Sequence, residues 1–323
     1  MAIKKVLLSM PINNGIYDVI RHNLKESCID CTVLPQDEGH QFKYPNAFIR
    51  FLNFLSKTLF RYNLKSFIIS WRRKNREKKI FGQNYDLLLA IRPDLMSLEQ
   101  IEQCKQVCLR SVGYQWDGLD RFPGIYEYID YFEHFCVFDK CDLSKNPKLK
   151  FKTNFRLKPH NEDFEFTRSD AHFIGDVDPY RYQLLLEVAD HLGALGYKPI
   201  FYIIRYPAHV TKKHPSIRVC KSPISYNQNL HIAKHTQIII DITHRNLHRG
   251  LSLRFFEAME FKKKLITTNG DVLEYDFYHP NNIYIYGQSK NTLAEFLSLP
   301  YYELSSEITD KYKIDEWIKE FGA

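Results

Sequence analysis

The stretch QIIIDITHRNLHRGLSLRFFEAMEFKKKLITT at 237–268 decides the fold class. It opens on an apolar run of strand length at 237–242, passes through a cationic loop, takes up helical spacing from about residue 252 to 261, and closes on a second apolar run, KLITT at 264–268. Neither run alternates with polar residues. Each therefore reads as a strand buried on both faces, the condition of a parallel sheet covered by helices. The same alternation extends upstream through AHFIG (171–175), a helix over 180–195, KPIFYII (198–204) and a helix over 226–235.

A matching series occupies the first half. IKKVLLSM (3–10) reads as a strand, PINNG (11–15) as a turn, and 16–25 as a helix. YDLLLAI (85–91) ends in Arg92-Pro93-Asp94 and feeds a helix near 97–108, and SVGYQW (111–116) and FEHFCVFDKCD (132–142) supply further strand signals. Residues 143–170 are rich in Lys, Asn, Pro and Asp and read as a linker. The expected architecture is α/β: two Rossmann-like domains whose parallel sheets face a central cleft. The first spans 1–155 and the second 156–304, and 305–323 forms a helix that crosses back to the first.

Composition narrows the classes. No long apolar stretch follows the start and no window reaches the roughly 18 apolar residues of a membrane-spanning helix, so the expectation is a cytoplasmic protein. Seven cysteines, an odd number, read as reduced thiols, and no compact Cys/His knuckle marks a metal site. The net charge of +7 concentrates in one place. Between Arg50 and Lys79 stand ten Lys or Arg residues and a single acid, Glu77, interleaved with Phe and Leu at helical spacing. Residues 48–79 therefore read either as an amphipathic segment for an anionic membrane surface or as a core helix with a solvated basic loop. Mixed charge elsewhere and the lack of a recognition module argue against a nucleic-acid partner.

In open parallel sheets ligands bind beyond the carboxyl ends of the strands, so the loops after the strands carry the candidate chemistry. Gly175 ends one strand and would let backbone approach a ligand, with Arg181 opening the next helix. In the loop after 242, Thr243, His244, His248, Arg249 and Arg254 gather before a helix start marked by Gly250, Leu251 and Ser252, a composition suited to an anion such as a diphosphate. Glu257, farther into that helix, is placed to accept both hydroxyls of a ribose.

Several blocks resemble the bacterial GT-B glycosyltransferase-like proteins of capsule and lipopolysaccharide clusters, related to the spore-maturation glycosyltransferase group: GLSLRFFEAMEFKKKLITTN (250–269), DVLEYDFYHPNNIYI (271–285), FIGDVDPYR (173–181), YQWDG (114–118) and FCVFDKCD (135–142). The resemblance implies a nucleotide-sugar donor site in the second domain, a glycan or lipid-linked saccharide acceptor in the first, and a ribose-binding role for Glu257. Many retaining members carry a further glutamate where this chain has Arg249, which leaves the retaining or inverting course open.

Sugar transfer needs cations for the leaving diphosphate and, in an inverting enzyme, a base for the acceptor hydroxyl. Arg249, Arg254 and Arg181 are the candidates for the first task, with Arg205 a fourth. Asp117 is the leading candidate for the second, ahead of Asp94 and Asp139. Apart from Asp176-x-Asp178 no Asp-x-Asp pair follows a strand, so no metal and no cofactor beyond the donor substrate are expected. The competing readings are a nucleotide-sugar epimerase or other sugar-phosphate enzyme, and a non-catalytic binding protein on the same frame.

Overall fold

The computed structural model describes residues 2–36, 44–160, 165–204, 214–220, 222–244 and 248–322. Its first lobe contains β1 (Lys5–Pro11), α1 (Ile16–Glu26), β2 (Asp30–Gln36), α2 (Ala47–Phe60), α3 (Leu64–Ile80), β3 (Tyr85–Ile91), α4 (Leu98–Val107), β4 (Cys108–Gln115), β5 (His134–Val137) and β6 (Leu149–Phe151). The second contains β7 (Ala171–Gly175), α5 (Pro179–Ala194), β8 (Pro199–Ile203), β9 (Ile217–Val219), α6 (Tyr226–His235), β10 (Ile238–Asp241), α7 (Leu253–Phe261), β11 (Lys264–Thr267), β12 (Ile283–Ile285) and α8 (Leu293–Ser298), followed by α9 (Ser306–Asp310) and α10 (Ile314–Lys319).

Two six-stranded sheets result, in the orders β2-β1-β3-β4-β5-β6 and β12-β11-β10-β7-β8-β9, and every pairing is parallel. The apolar runs explain this. Val6, Leu8 and Met10 enter one core of the first lobe while Leu7 enters the other, and in the second lobe Ile238 and Ile240 face one core while Ile239 faces the opposite one. A strand whose successive side chains both need burial must lie between two helical layers. The two-lobed Rossmann-like class read from the sequence is the class observed.

Some local expectations are corrected. The stretch read as a linker contains β6, which pairs with β5, and its continuation buries Asn154, Phe155 and Leu157. The single terminal helix expected over 305–323 is two, α9 and α10, divided by Lys313 in extended conformation. The amphipathic segment 48–79 is a hairpin of α2 and α3, broken where Arg61 turns left-handed at φ 53°. The strands β2, β9 and β12 are not among those expected from the sequence.

The lobes meet along the carboxyl edges of their sheets. Asp139, just past β5, accepts from the backbone N–H of Arg249 at 2.6 Å, and Asn154 Nδ2 donates to the Leu251 carbonyl at 2.9 Å. Gly250 sits against Phe138 so closely that a Cβ would lie 2.5 Å from the ring and 2.7 Å from the Phe138 carbonyl oxygen. The C-terminal segment fastens the far side. Trp317 lies in the first-lobe core, edge-on to Tyr114 and Phe155 at 5.0 and 5.3 Å, and donates through Nε1 to the Thr153 carbonyl. Arg156 joins Glu260 at 2.9 Å and Asp310 at 2.8 Å, tying the crossing strand to α7 and α9.

Because the contact at Gly250 involves backbone as well as ring, a Gly250→Ala variant is expected to lose about 1–3 kcal/mol of stability through overpacking. Thermal unfolding of the variant checks this; an unchanged midpoint would mean the seam is not close-packed at that point.

Candidate functional site

In the second sheet β7, the first strand in chain order, has β8 on one side and β10 on the other, so the strand order reverses between β7 and β10. That reversal opens a crevice at the carboxyl edge where an open α/β sheet takes its ligand. Two arginines cross it from opposite sides. Arg181, on α5 after β7, donates through Nε to the Ile242 carbonyl beyond β10 at 2.9 Å, and Arg254, on α7 after β10, donates through Nη2 to the Ile174 carbonyl in β7. Both helices begin at this edge, capped by Asp178 and Ser252, and direct their free N–H groups toward it.

One buried carboxylate holds the arrangement. Asp241, at the end of β10, accepts from Ser252 Oγ at 2.7 Å, Thr267 Oγ1 at 2.9 Å and Arg254 Nη1 at 3.4 Å. Thr243 donates its N–H to Thr268 Oγ1 and its hydroxyl lies 3.5 Å from the same carboxylate. Burial, and after it the charge of Arg254, pushes the Arg181 guanidinium down to about 10, which leaves it a cation at neutral pH. Arg181 Nη1 also donates to His244 Nε2 at 2.6 Å, while His244 Nδ1 lies 3.0 Å from Asp178. A guanidinium only donates, so Nε2 must be the acceptor and Nδ1 carries the proton toward Asp178. Burial, then Arg181, lowers the His244 pKa in agreement with that neutral form.

The remaining sequence candidates distribute unevenly. The space beside Gly175 is filled by Arg254, whose Nη2 would lie 2.9 Å from an added Cβ, so this glycine makes room for a side chain of the protein. Gly250 and Leu251 belong to the seam between lobes. Arg249 anchors that seam through its backbone while its side chain is exposed. His248 lies tilted against Phe138 of the first lobe, ring centroids 5.1 Å apart, its pKa lowered by burial despite the fields of Asp117, Asp241 and Asp139. Asp117 pairs with Arg121 at 2.7 Å and Arg92 at 3.5 Å, and Asp94 is clamped by Arg92 at 2.6 Å, so these carboxylates are engaged by cations. Arg205 lies outside the described residues.

Glu257 is 4% exposed. It accepts from Asn229 Nδ2 at 3.1 Å and from Tyr226, both on α6, and Asn229 also meets His172. The expected ribose contact would therefore compete with bonds that join α6 to α7. Those α6 partners are site-adjacent residues that sequence reasoning missed, because no local pattern links positions 226 and 229 to 257. Burial is the leading influence on the Glu257 carboxyl and raises its pKa. Among the described residues no cluster of three or more His, Cys, Asp or Glu side chains could hold a metal ion, and the seven cysteines are free thiols. A cavity of about 830 Å³ lined by Arg21, His22, Lys25 and His160 lies at the opposite, amino edge of β2, away from this chemistry.

No family model matches the chain, and no curated protein sequence matches it. Among solved structures it is similar to the catalytic domain of starch synthase IV from Arabidopsis thaliana bound to ADP and acarbose (TM-score 0.48, 9% identity, 99% of this chain and 95% of that one). It is also similar to a UDP-forming trehalose-phosphate synthase from Burkholderia xenovorans (0.45, 10%, 99% and 98%) and to a glycosyltransferase from Rickettsia africae (0.41, 11%, 99% and 93%). Likeness at this level concerns the course of the chain and carries nothing about substrate.

A raised folded-state carboxyl pKa means that protonated Glu257 favours the fold. The associated stability is fully present below the unfolded value of about 4.3 and is lost as pH rises through the folded value. Glu257→Gln keeps an acceptor for Asn229 and Tyr226 without the charge. Its unfolding midpoint should gain on that of the wild type as pH is raised from acid to neutral, and a difference that does not vary with pH would contradict the buried-carboxyl assignment.

Proposed function

We propose that the protein transfers a sugar from a nucleotide-sugar donor to a hydroxyl of a glycan or lipid-linked saccharide of the lipopolysaccharide or capsule type, with the donor on the second lobe and the acceptor on the first. The observation that carries this reading is the pair of guanidinium groups, Arg181 and Arg254, crossed over the strand-order reversal and bonded to main-chain carbonyls at the ends of β7 and β10. Carbonyls orient these cations without cancelling their charge. Of the two, Arg254 lies against Asp241 at 3.4 Å while Arg181 feels Asp241, Asp178 and Asp176, and both cations stand beside two helix N-termini, a setting suited to an anion.

In transfer, the bond from the anomeric carbon to the diphosphate oxygen breaks and negative charge grows on the leaving group. Arg181 and Arg254 are already placed to take up that charge, so no reorganisation is needed as the bond breaks. Arg249 supplies a third cation when its exposed side chain turns inward from the seam. Asp117 is the proposed acceptor of the hydroxyl proton in an inverting course, on release from Arg121 and Arg92. Glu257 is proposed to set the ribose side of the pocket through α7, directly or by way of Asn229. We place the reaction at the inner face of a membrane, where a lipid-linked acceptor would be met. No helix among the described residues is long and apolar enough to cross one.

Nucleoside diphosphates should raise the thermal unfolding midpoint more than the monophosphates. Ligand at 100 times its dissociation constant adds about 2.7 kcal/mol. Arg254→Lys keeps the charge but loses the planar fork, and forfeiting one charge-assisted bond of about 1.5–3 kcal/mol should weaken diphosphate binding roughly tenfold or more. Equal shifts for mono- and diphosphates, or an unaffected variant, would refute the assignment. Hydrolysis of the best-bound nucleotide sugar, with no epimer formed, then separates a transferase from an epimerase.

A further inference from the structure

The hairpin α2–α3 is not built like a helix pair belonging to a core. In α2 the one buried residue is polar: Asn53 donates to Tyr44 at 2.9 Å and accepts from the Lys65 N–H at 2.8 Å. Five apolar residues of the same helix face outward, Phe48, Phe51, Phe54, Leu59 and Phe60 being between 54% and 78% exposed, while Ile49, Leu52 and Leu55 are half-buried. Trp71 continues the exposed aromatic surface on α3 at 58%. Water-facing aromatic side chains in this density mark a surface that has a partner.

The arrangement also indicates which partner. The hairpin carries the ten cations between Arg50 and Lys79, and its one acid, Glu77, accepts from Gln100 Nε2 at 2.7 Å and lies 3.7 Å from Arg73. Aromatic rings beside dense positive charge complement a surface that is apolar inside and anionic outside. Topology orients it. The segment leaves the carboxyl edge of β2, and α3 runs back to the amino end of β3, where Ile80 is anchored in the core, so the turn at 61–63 lies toward the carboxyl edge on which the cleft opens.

We infer that the hairpin inserts aromatic side chains of α2 and Trp71 into the interface of an anionic bilayer, while its lysines and arginines meet the headgroups. This seats the first lobe, cleft edge down, on the surface that supplies the acceptor. The identity of that acceptor rests on the transferase reading, whereas the attachment rests on the hairpin alone.

The test uses the full chain with vesicles of phosphatidylcholine, with and without phosphatidylglycerol. Co-sedimentation should favour the anionic vesicles by about tenfold, more at low salt than at high. Trp71 emission should shift to the blue on binding, and Trp71→Phe should remove most of the shift, because Trp317 is buried and Trp116 is half-buried against the first-lobe core. The triple variant Phe51→Ser, Phe54→Ser, Phe60→Ser should keep the wild-type unfolding midpoint and bind about tenfold more weakly. No preference for anionic vesicles overturns the inference. So does full binding by the triple variant, which would leave electrostatic adhesion without insertion, and so does a stable dimer in which Trp71 is already shielded. Nucleoside-diphosphate binding measured on the same samples separates the two readings, since vesicle binding without it would sink only the transferase assignment.

Discussion

The second lobe depends on the carboxylate of Asp241. It stands at the end of β10, buried, and gathers the Ser252 hydroxyl, the Thr267 hydroxyl and the Arg254 guanidinium. Without it, two arginines would face each other in a low-dielectric crevice, and mutual repulsion would drive one of them out. With it, Arg254 is fixed against β7 and Arg181 against the end of β10, and the space that Arg254 occupies exists only because residue 175 is glycine. A local composition at a strand end thus becomes a preorganised cationic pair.

The same loop links that pair to the other lobe. Between Asp241 and α7 the chain passes from the arginine site to the seam, where the Arg249 N–H meets Asp139, Gly250 meets Phe138 and the Leu251 carbonyl meets Asn154. Any ligand that moves the start of α7 must therefore be felt at the seam. The Trp317 segment holds the far side of the interface.

Much of the fold was legible because strands buried on both faces write themselves as uninterrupted apolar runs. YDLLLAI, AHFIG, QIIIDI and KLITT could hardly be read otherwise, and each is a strand within a residue or two of its expected bounds. The misses have physical causes. β2 carries Pro35 and lies at a sheet edge, β6 and β9 are three residues long, and Arg61 breaks a continuous helical period by a left-handed turn that no glycine announces. At the site, residue type pointed to the right sheet edge, but partners remote in sequence determine what each group does there. Gly175 answers to Arg254, Gly250 to Phe138, Glu257 to Tyr226 and Asn229, and Asp117 to Arg92 and Arg121.

The most direct test of the central claim is a crystal structure of the protein grown with a nucleoside diphosphate. The account predicts the distal phosphate between the starts of α5 and α7, within hydrogen-bond distance of Arg181 or Arg254, with Asp241 still bonded to Ser252. A nucleotide bound elsewhere, for instance beside His22 and His160, with neither arginine within hydrogen-bond distance of a phosphate, would contradict it.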